Sequence, residues 1–178
     1  MDFSTITTPT RVNLLISFMD IQGFLGISQA PHDPTKLFDL LNNWAGIIIK
    51  DVDQAHGRVV KFIGDACLIV FAEEDADLGV QTLISLKAKA EAFLREQGFK
   101  NKIKVTGHVG EAVVGAFGTG NCISIDVFGD SVAIASTLER SDHHGRLVLS
   151  PQAFRKLSPS TRKLFHKYTP PVVYIAEE

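Results

Sequence analysis

Two aspartates at the ends of apolar stretches are the residues of this sequence best placed to do chemistry. Asp20 follows the apolar run 12–19, and Asp65 follows Gly64 within the stretch 61–71. Apolar, β-favouring residues stand on both sides of Gly64 and Asp65, a pattern that predicts a strand, a tight turn and a second strand. If both aspartates lie in one sheet, their carboxylates can meet and bind divalent cations, as magnesium sites on phosphate substrates do. The alternative for either aspartate alone is a cap on a turn.

The composition is that of an ordinary globular protein. The chain has 178 residues, 45% of them hydrophobic and 21% charged, and its formal net charge is −2. This balance gives no reason to expect nucleic acid or an anionic membrane as a partner. No apolar run reaches the length of a membrane span, and the start of the chain lacks the pattern of a signal peptide. Because Cys67 falls in a predicted buried strand and nothing requires a disulfide, we expect a cytoplasmic location.

The elements that must position the aspartates are predicted from apolar periodicity. The length fits a single domain, which we expect over 11–178 after a flexible leader over 1–10. Asp33 or Thr35 is expected to cap the first long helix, whose apolar residues recur at helical spacing. Three main helices are predicted, at about 34–56, 73–98 and 131–140.

A second hairpin is predicted further along the chain. Residues 102–109 alternate as in a strand with one covered face, and Gly110 and Glu111 are expected to turn the chain so that 112–117 returns. His108 faces away from the apolar side; a structural role is favoured over metal binding, because no second histidine is placed to help it. The order of elements predicts an α+β sandwich, with a mostly antiparallel sheet and helices packed over one face.

Four stretches resemble, in order and roughly in spacing, the motifs of the class III nucleotide cyclase catalytic domain, the adenylate and guanylate cyclase family. They are 18–24, 61–65, 107–115 and 126–132, and the resemblance extends over about 12–150. It implies a ferredoxin-like core, which matches the predicted order of elements. It also implies conversion of ATP to 3′,5′-cyclic AMP and pyrophosphate with two Mg²⁺ or Mn²⁺ ions, at sites formed between two chains.

By this resemblance, Asp20, Asp65 and the backbone carbonyl of Ile21 hold the metal ions. Gly23 and Phe24 belong to a turn whose backbone N–H groups are free to meet phosphate oxygens. From the residues alone, a simple strand-to-helix turn is the preferred interpretation of these glycine-flanked positions.

Lys61 and Asp126 match the pair that reads the purine in adenylate cyclases. A lysine can donate to adenine N1 and an aspartate can accept from the exocyclic amine, so the pair favours ATP over GTP. A surface ion pair is the alternative interpretation. Lys167 is the candidate triphosphate ligand by its position, with Lys163 as an equal alternative.

The chain departs from the family in the helix that follows residues 129–130. The resemblance places an asparagine and an arginine there in active enzymes, whereas this chain has Ala133 and Thr137. Neither side chain can replace its counterpart, and loss of a transition-state arginine can lower the rate by about 10³–10⁵. Arg140, one turn beyond Thr137, is the candidate substitute, with a helix-end or solvent-facing arginine as the simpler alternative.

Two hypotheses about function follow. In the first, the chain is a weak or partner-dependent adenylate cyclase that acts as a homodimer or with another cyclase domain. In the second, it is an inactive cyclase-fold module that binds a nucleotide–metal complex or a partner cyclase domain.

Overall fold

A mixed, mostly antiparallel sheet forms the centre of the computed structural model, which describes residues 3–6, 8–29, 33–139 and 145–177. The strand order is β2-β3-β1-β4-β6-β8-β7, with β5 added to β4. Only β4 and β6 pair in parallel among the described strands. The strands are β1 Thr10–Ile21, β2 Arg58–Ile63, β3 Ala66–Ala72, β4 Ile103–Phe117, β5 Ser124–Phe128, β6 Leu147–Leu149, β7 Phe165–Tyr168 and β8 Val173–Ala176.

The helices pack against both faces of this sheet. They are α1 Phe24–Gln29, α2 Pro34–Gln54, α3 Ala76–Glu96, α4 Asp130–Glu139, α5 Pro151–Arg155 and α6 Pro159–Arg162. The expected cap of α2 is confirmed, since Asp33 Oδ1 accepts from the Thr35 N–H at 2.9 Å. The predicted α+β class with a mostly antiparallel sheet is also confirmed.

The expectation that the helices cover one face is wrong for α4. Leu15 and Met19 of β1 join one apolar core with α2 and α3, which we call the α2–α3 core. Leu14 and Ile16 point to the opposite face and join a second core that contains Ala135 of α4, which we call the α4 core. The physical reason is visible in β1, whose near-continuous apolar run has two faces to bury.

The predicted turn at Gly110 and Glu111 is also wrong, because β4 continues straight through both residues. Gly110 lies opposite Leu14 and Glu111 opposite Asn13 in the β1–β4 ladder. A side chain on Gly110 would collide with Ser131 of α4. This glycine therefore permits the close approach of a helix, and the chain turns only after β4 to form β5.

The start of the chain contacts the domain in at least one place. Phe3 is only 4% exposed and packs in the α4 core. The division into a leader over 1–10 and a domain over 11–178 stays a prediction. Within the described residues, no helix has both the length and the apolar character that crossing a membrane requires.

Candidate functional site

The two aspartates singled out above lie at the same end of the β1–β3 strand pair. Met19 lies opposite Cys67, so Asp20 is one residue beyond this pair on β1 and Asp65 is two residues beyond it on the other strand. Asp65 sits in the β2–β3 turn beside Gly64, whose φ of +66° suits glycine. Both aspartates are half-buried. Both residues therefore lie at one end of the β1–β3 pair, and their joint role as metal ligands stays a prediction.

Cys67 is a fully buried thiol at the same end of the β1–β3 pair, opposite Met19. Burial raises the pKa of the Cys67 thiol well above its usual range, and the negative charge of Asp20 adds in the same direction. A hydrogen bond with the Met19 backbone opposes this shift only in part. Cys67 is therefore a protonated core residue.

The chemistry of the donors at this end of the β1–β3 pair fits magnesium or manganese bound together with phosphate. Asp20, Asp65 and the carbonyl of Ile21 offer oxygen atoms, which are the ligands that these cations prefer. The described part of the chain contains no group of three or more His, Cys, Asp or Glu side chains that could hold a metal ion. The remaining ligands would have to come from water or from a phosphate-bearing substrate, as is usual for Mg²⁺.

Lys104 lies at the same end of the sheet as Asp20, and it was not among the site residues predicted from the sequence. It lies directly opposite Asp20 in the β1–β4 ladder and is only 3% exposed. A buried ammonium group requires anionic or hydrogen-bonding partners, and the register places Lys104 beside Asp20. The sequence signal that could have found Lys104 is a lysine placed between Ile103 and Val105 in an apolar strand.

Lys61 and Asp126 form an ion pair within one chain. Lys61 Nζ lies 2.7 Å from Asp126 Oδ2, and Asp126 Oδ1 accepts from the Val127 N–H at 2.8 Å. The side chain of Asp126 is 9% exposed, whereas that of Lys61 is 41% exposed and lies 5.8 Å from the ring centroid of Phe128. An anchored acceptor thus stands beside an accessible donor, and the pair is not purely a surface contact.

The two departures from the family lie on the exposed side of α4. Ala133 and Thr137 are both exposed. The Thr137 hydroxyl donates to the Ala133 carbonyl at 2.9 Å, and the Ser136 hydroxyl donates to the same oxygen at 2.8 Å. These hydroxyls are therefore satisfied within the helix, although larger side chains at 133 and 137 would have room. Arg140 lies outside the described residues, so its substitution for the arginine stays untested.

The remaining candidates are spread across the fold. Gly23 has a φ of +69° and Phe24 begins α1, with its ring packed against the α2–α3 core. Only the backbone of this turn is thus left to meet a phosphate group. Lys167 is exposed on β7, at the opposite edge of the sheet from β2, so one chain does not bring it to Lys61. The roles of these residues stay predictions.

His108 has a partner that accounts for its burial. It is 3% exposed, and its Nδ1 lies 2.9 Å from Ser150 Oγ, which also caps α5 by accepting from the Ala153 N–H. Burial lowers the pKa of His108, so the neutral imidazole is favoured. This geometry ties β4 to α5.

Comparison with known proteins identifies the family. The model of the adenylate and guanylate cyclase catalytic domain matches residues 7–170. This chain belongs to that family. The cyclase domain of this chain is 28% identical over 155 residues to an adenylate cyclase of Anabaena cylindrica, an alignment that covers 82% of the chain and 31% of that relative. This chain thus spans about a third of the length of that relative.

Solved structures share the cyclase fold. The adenylyl cyclase CyaB from P. aeruginosa superposes with a TM-score of 0.81 at 22% identity, covering 96% of both chains. The guanylyl cyclase Cya2 superposes with a TM-score of 0.80 at 19% identity, covering 94% of this chain and 93% of Cya2. Because both kinds of cyclase share the fold, the fold does not select between ATP and GTP.

Proposed function

We propose that this cyclase domain binds ATP with two divalent cations and converts it to 3′,5′-cyclic AMP and pyrophosphate, at a site completed by a second cyclase chain. The observation that carries the proposal is the placement of Asp20 and Asp65 at one end of the β1–β3 pair. Family membership supports a nucleotide as the substrate. Turnover in the isolated chain is expected to be slow because of α4.

The residues at this end of the β1–β3 pair support a triphosphate as the substrate. Asp20, Asp65 and the carbonyl of Ile21 would hold the cations, which when bound lower the pKa of the attacking 3′-hydroxyl and shield the phosphate charge. Lys104, buried opposite Asp20, adds a fixed positive charge beside them. This charge favours the triphosphate over an uncharged nucleoside.

The Lys61–Asp126 pair supports ATP as the substrate. Adenine presents an acceptor at N1 beside a donor at its exocyclic amine, and the pair offers a donor beside an acceptor. Guanine presents the reverse pattern, with a donor at N1 beside a carbonyl oxygen. A mismatched base would leave the buried Asp126 carboxylate facing another acceptor, which is costly.

Apolar side chains around this pair support a second chain at the site. Phe117, Ile123 and Phe128 are 57%, 59% and 47% exposed, and the rings of Phe117 and Phe128 are 4.9 Å apart. Exposed apolar groups gathered in this way are typical of a surface that another protein covers. A homodimer or a heterodimer with another cyclase domain would cover them.

A second candidate function is favoured by α4. Ala133 carries no polar group, and the hydroxyl of Thr137 is engaged by the helix backbone. Neither residue can stabilise the charge that develops on the phosphate. The chain would then bind ATP with metal ions, or a partner cyclase domain, without turnover of its own.

The test is a cyclic-nucleotide assay on the purified chain with ATP or GTP and Mn²⁺, beside an Asp65→Ala control. Cyclic AMP that forms from ATP and disappears in the control supports the enzyme. Mn²⁺-dependent ATP binding that Asp65→Ala abolishes, without product, supports the binding module. An absence of Mn²⁺-dependent nucleotide binding contradicts the enzyme and the nucleotide-binding module, and leaves only binding of a partner cyclase domain.

A further inference from the structure

A cavity of about 310 Å³ lies on the α3 side of the sheet, away from the Lys61–Asp126 pair. Its walls come from α3, the start of β4, the start of β6 and the end of β8. Three cations and two carboxylates line it, over a floor of small apolar side chains that includes Ala88 and Leu147. The volume is at the lower end of the range for small-molecule pockets.

The charges in this cavity are not balanced. Glu91 is the buried carboxylate: its Oε1 accepts from Lys87 Nζ at 2.8 Å and from the Ile103 N–H at 3.1 Å, and its Oε2 lies 3.5 Å from Lys102 Nζ. Arg146 takes part in no ion pair with any residue that the structure describes. Glu177 is the second carboxylate, so the three cations of the lining outnumber its anions.

We propose that this cavity binds a small organic carboxylate, with the carboxylate on Arg146 and Lys102 and the apolar part of the ligand over Ala88 and Leu147. A guanidinium group recognises a carboxylate through two parallel hydrogen bonds, and no described residue occupies Arg146 in an ion pair. Glu91 fixes Lys87 in place, and the longer 3.5 Å contact leaves Lys102 able to turn towards a ligand. The apolar floor selects for a ligand with a hydrophobic body rather than a bare inorganic anion.

The cavity wall is connected through hydrogen bonds of the backbone to the end of β1 that carries Asp20. The Lys102 carbonyl accepts from the Gln22 N–H at 2.9 Å, and Asn101 Nδ2 donates to the Gln22 carbonyl at 2.7 Å. Gln22 follows Ile21 directly. A ligand that holds Lys102 therefore acts on the segment that carries Asp20, and we expect it to change Mn²⁺ affinity there. This regulatory role rests on the proposed function, whereas carboxylate binding itself does not.

The binding test is isothermal titration of the whole chain with benzoate, beside benzamide and acetate. Benzamide keeps the ring without the charge, and acetate keeps the charge without the ring. The proposal expects benzoate to bind at least tenfold more tightly than either. Equal affinity for benzoate and benzamide, or no benzoate binding, would overturn it.

Two substitutions in the cavity lining test whether benzoate binds in this cavity. Arg146→Gln is expected to weaken benzoate binding at least tenfold, whereas Lys36→Gln, which removes an exposed cation on α2, should leave it unchanged. Ala88→Leu fills the cavity from an exposed position on α3 without changing charge and should also weaken binding. Circular dichroism checks that each variant folds. Unchanged affinity in both folded cavity variants would exclude this site.

The regulatory role has its own measurement. Saturating benzoate is expected to change the Mn²⁺ dissociation constant at least threefold in the unmodified chain and not in Arg146→Gln. An unchanged Mn²⁺ affinity would overturn the coupling. Benzoate binding in a chain that binds no Mn²⁺ would instead mean that the proposed function has failed and that the carboxylate site stands.

Discussion

At the scale of single residues, the proposed selection of ATP depends on the pairing of Lys61 with Asp126. The aspartate is held by the Val127 N–H and is nearly buried, so its position does not depend on the lysine. The lysine is the accessible partner, and it is the group that would donate to adenine N1. Removing Lys61 should therefore change the preference for ATP over GTP more than it changes the position of the bound base.

The first prediction concerns Lys61→Met. We expect the affinity for ATP to fall about tenfold, because one charge-assisted hydrogen bond of about 1.5 kcal/mol is lost. The affinity for GTP should change less, so that the ratio of the two affinities moves towards one. Titration of both nucleotides with Mn²⁺ measures this ratio, with Lys36→Met on α2 as the charge-matched control. A ratio that stays constant would mean that the pair is only structural.

Much of the candidate site could be predicted from the sequence, because its motifs have a recognisable local pattern of residue types. Asp65 follows Gly64, Gly23 comes three residues after Asp20, and both aspartates lie at one end of the β1–β3 pair. Lys104 was missed because a single lysine in a strand resembles a solvent-facing residue until the neighbouring strands are known. Its burial opposite Asp20 is a tertiary property that periodicity does not report.

At the scale of elements, the contact between α3 and β4 is held by Glu91. The Ile103 N–H donates to Glu91 Oε1 and so joins the helix to the first residue of the strand, while Lys87 of the same helix donates to that oxygen. Burial opposes ionisation of this carboxylate, but these hydrogen bonds and the charges of Lys87 and Lys102 outweigh it and lower the pKa of Glu91. The ionised carboxylate therefore stabilises the fold.

The second prediction is a pH dependence of stability that Glu91 causes. Since the pKa of Glu91 is lower in the folded chain than its ordinary value of 4.5, its contribution is complete above that value and is lost as the pH falls through the folded-state pKa. Glu91→Ala should lower the free energy of unfolding by about 2 kcal/mol at pH 7, because the buried Ile103 N–H loses its acceptor.

Urea unfolding at pH 7 and at low pH measures both effects. Glu91→Gln is the matched variant, since it keeps an acceptor for Ile103 while it removes the charge. It should be less destabilised than Glu91→Ala and should show a smaller loss of stability at low pH than the unmodified chain. Identical pH profiles for Glu91→Gln and the unmodified chain would contradict the assignment.

The elements themselves were predictable where local pattern decides and not where packing decides. The α2 cap at Asp33 and the turn at Gly64 follow from local chemistry and are present in the structure. Gly110 was wrongly predicted to form a turn because glycine is common both in turns and at close contacts between elements. Here it makes room for Ser131 of α4. Which face α4 covers depends on the two-sided apolar surface of β1, a property of the assembled sheet.

At the scale of the whole molecule, the proposed function combines groups suited to bind ATP with a helix whose positions 133 and 137 lack the side chains expected for turnover. In that proposal, Asp20 and Asp65 at one end of the β1–β3 pair supply oxygen ligands for the cations, and the Lys61–Asp126 pair recognises the base. The exposed apolar side chains near that pair are where we expect a second cyclase chain to dock. The central claim is therefore that α4 alone limits catalysis.

The measurement that tests this claim most directly is cyclic AMP production by the double variant Ala133→Asn/Thr137→Arg with ATP and Mn²⁺. Both positions are exposed, so the new side chains fit without repacking. We predict a rise of at least about 100-fold over the unmodified chain, because the returned arginine stabilises transition-state charge. Adding Asp65→Asn to the double variant should remove this gain. A double variant that folds and binds ATP but forms no more cyclic AMP than the unmodified chain would contradict the account.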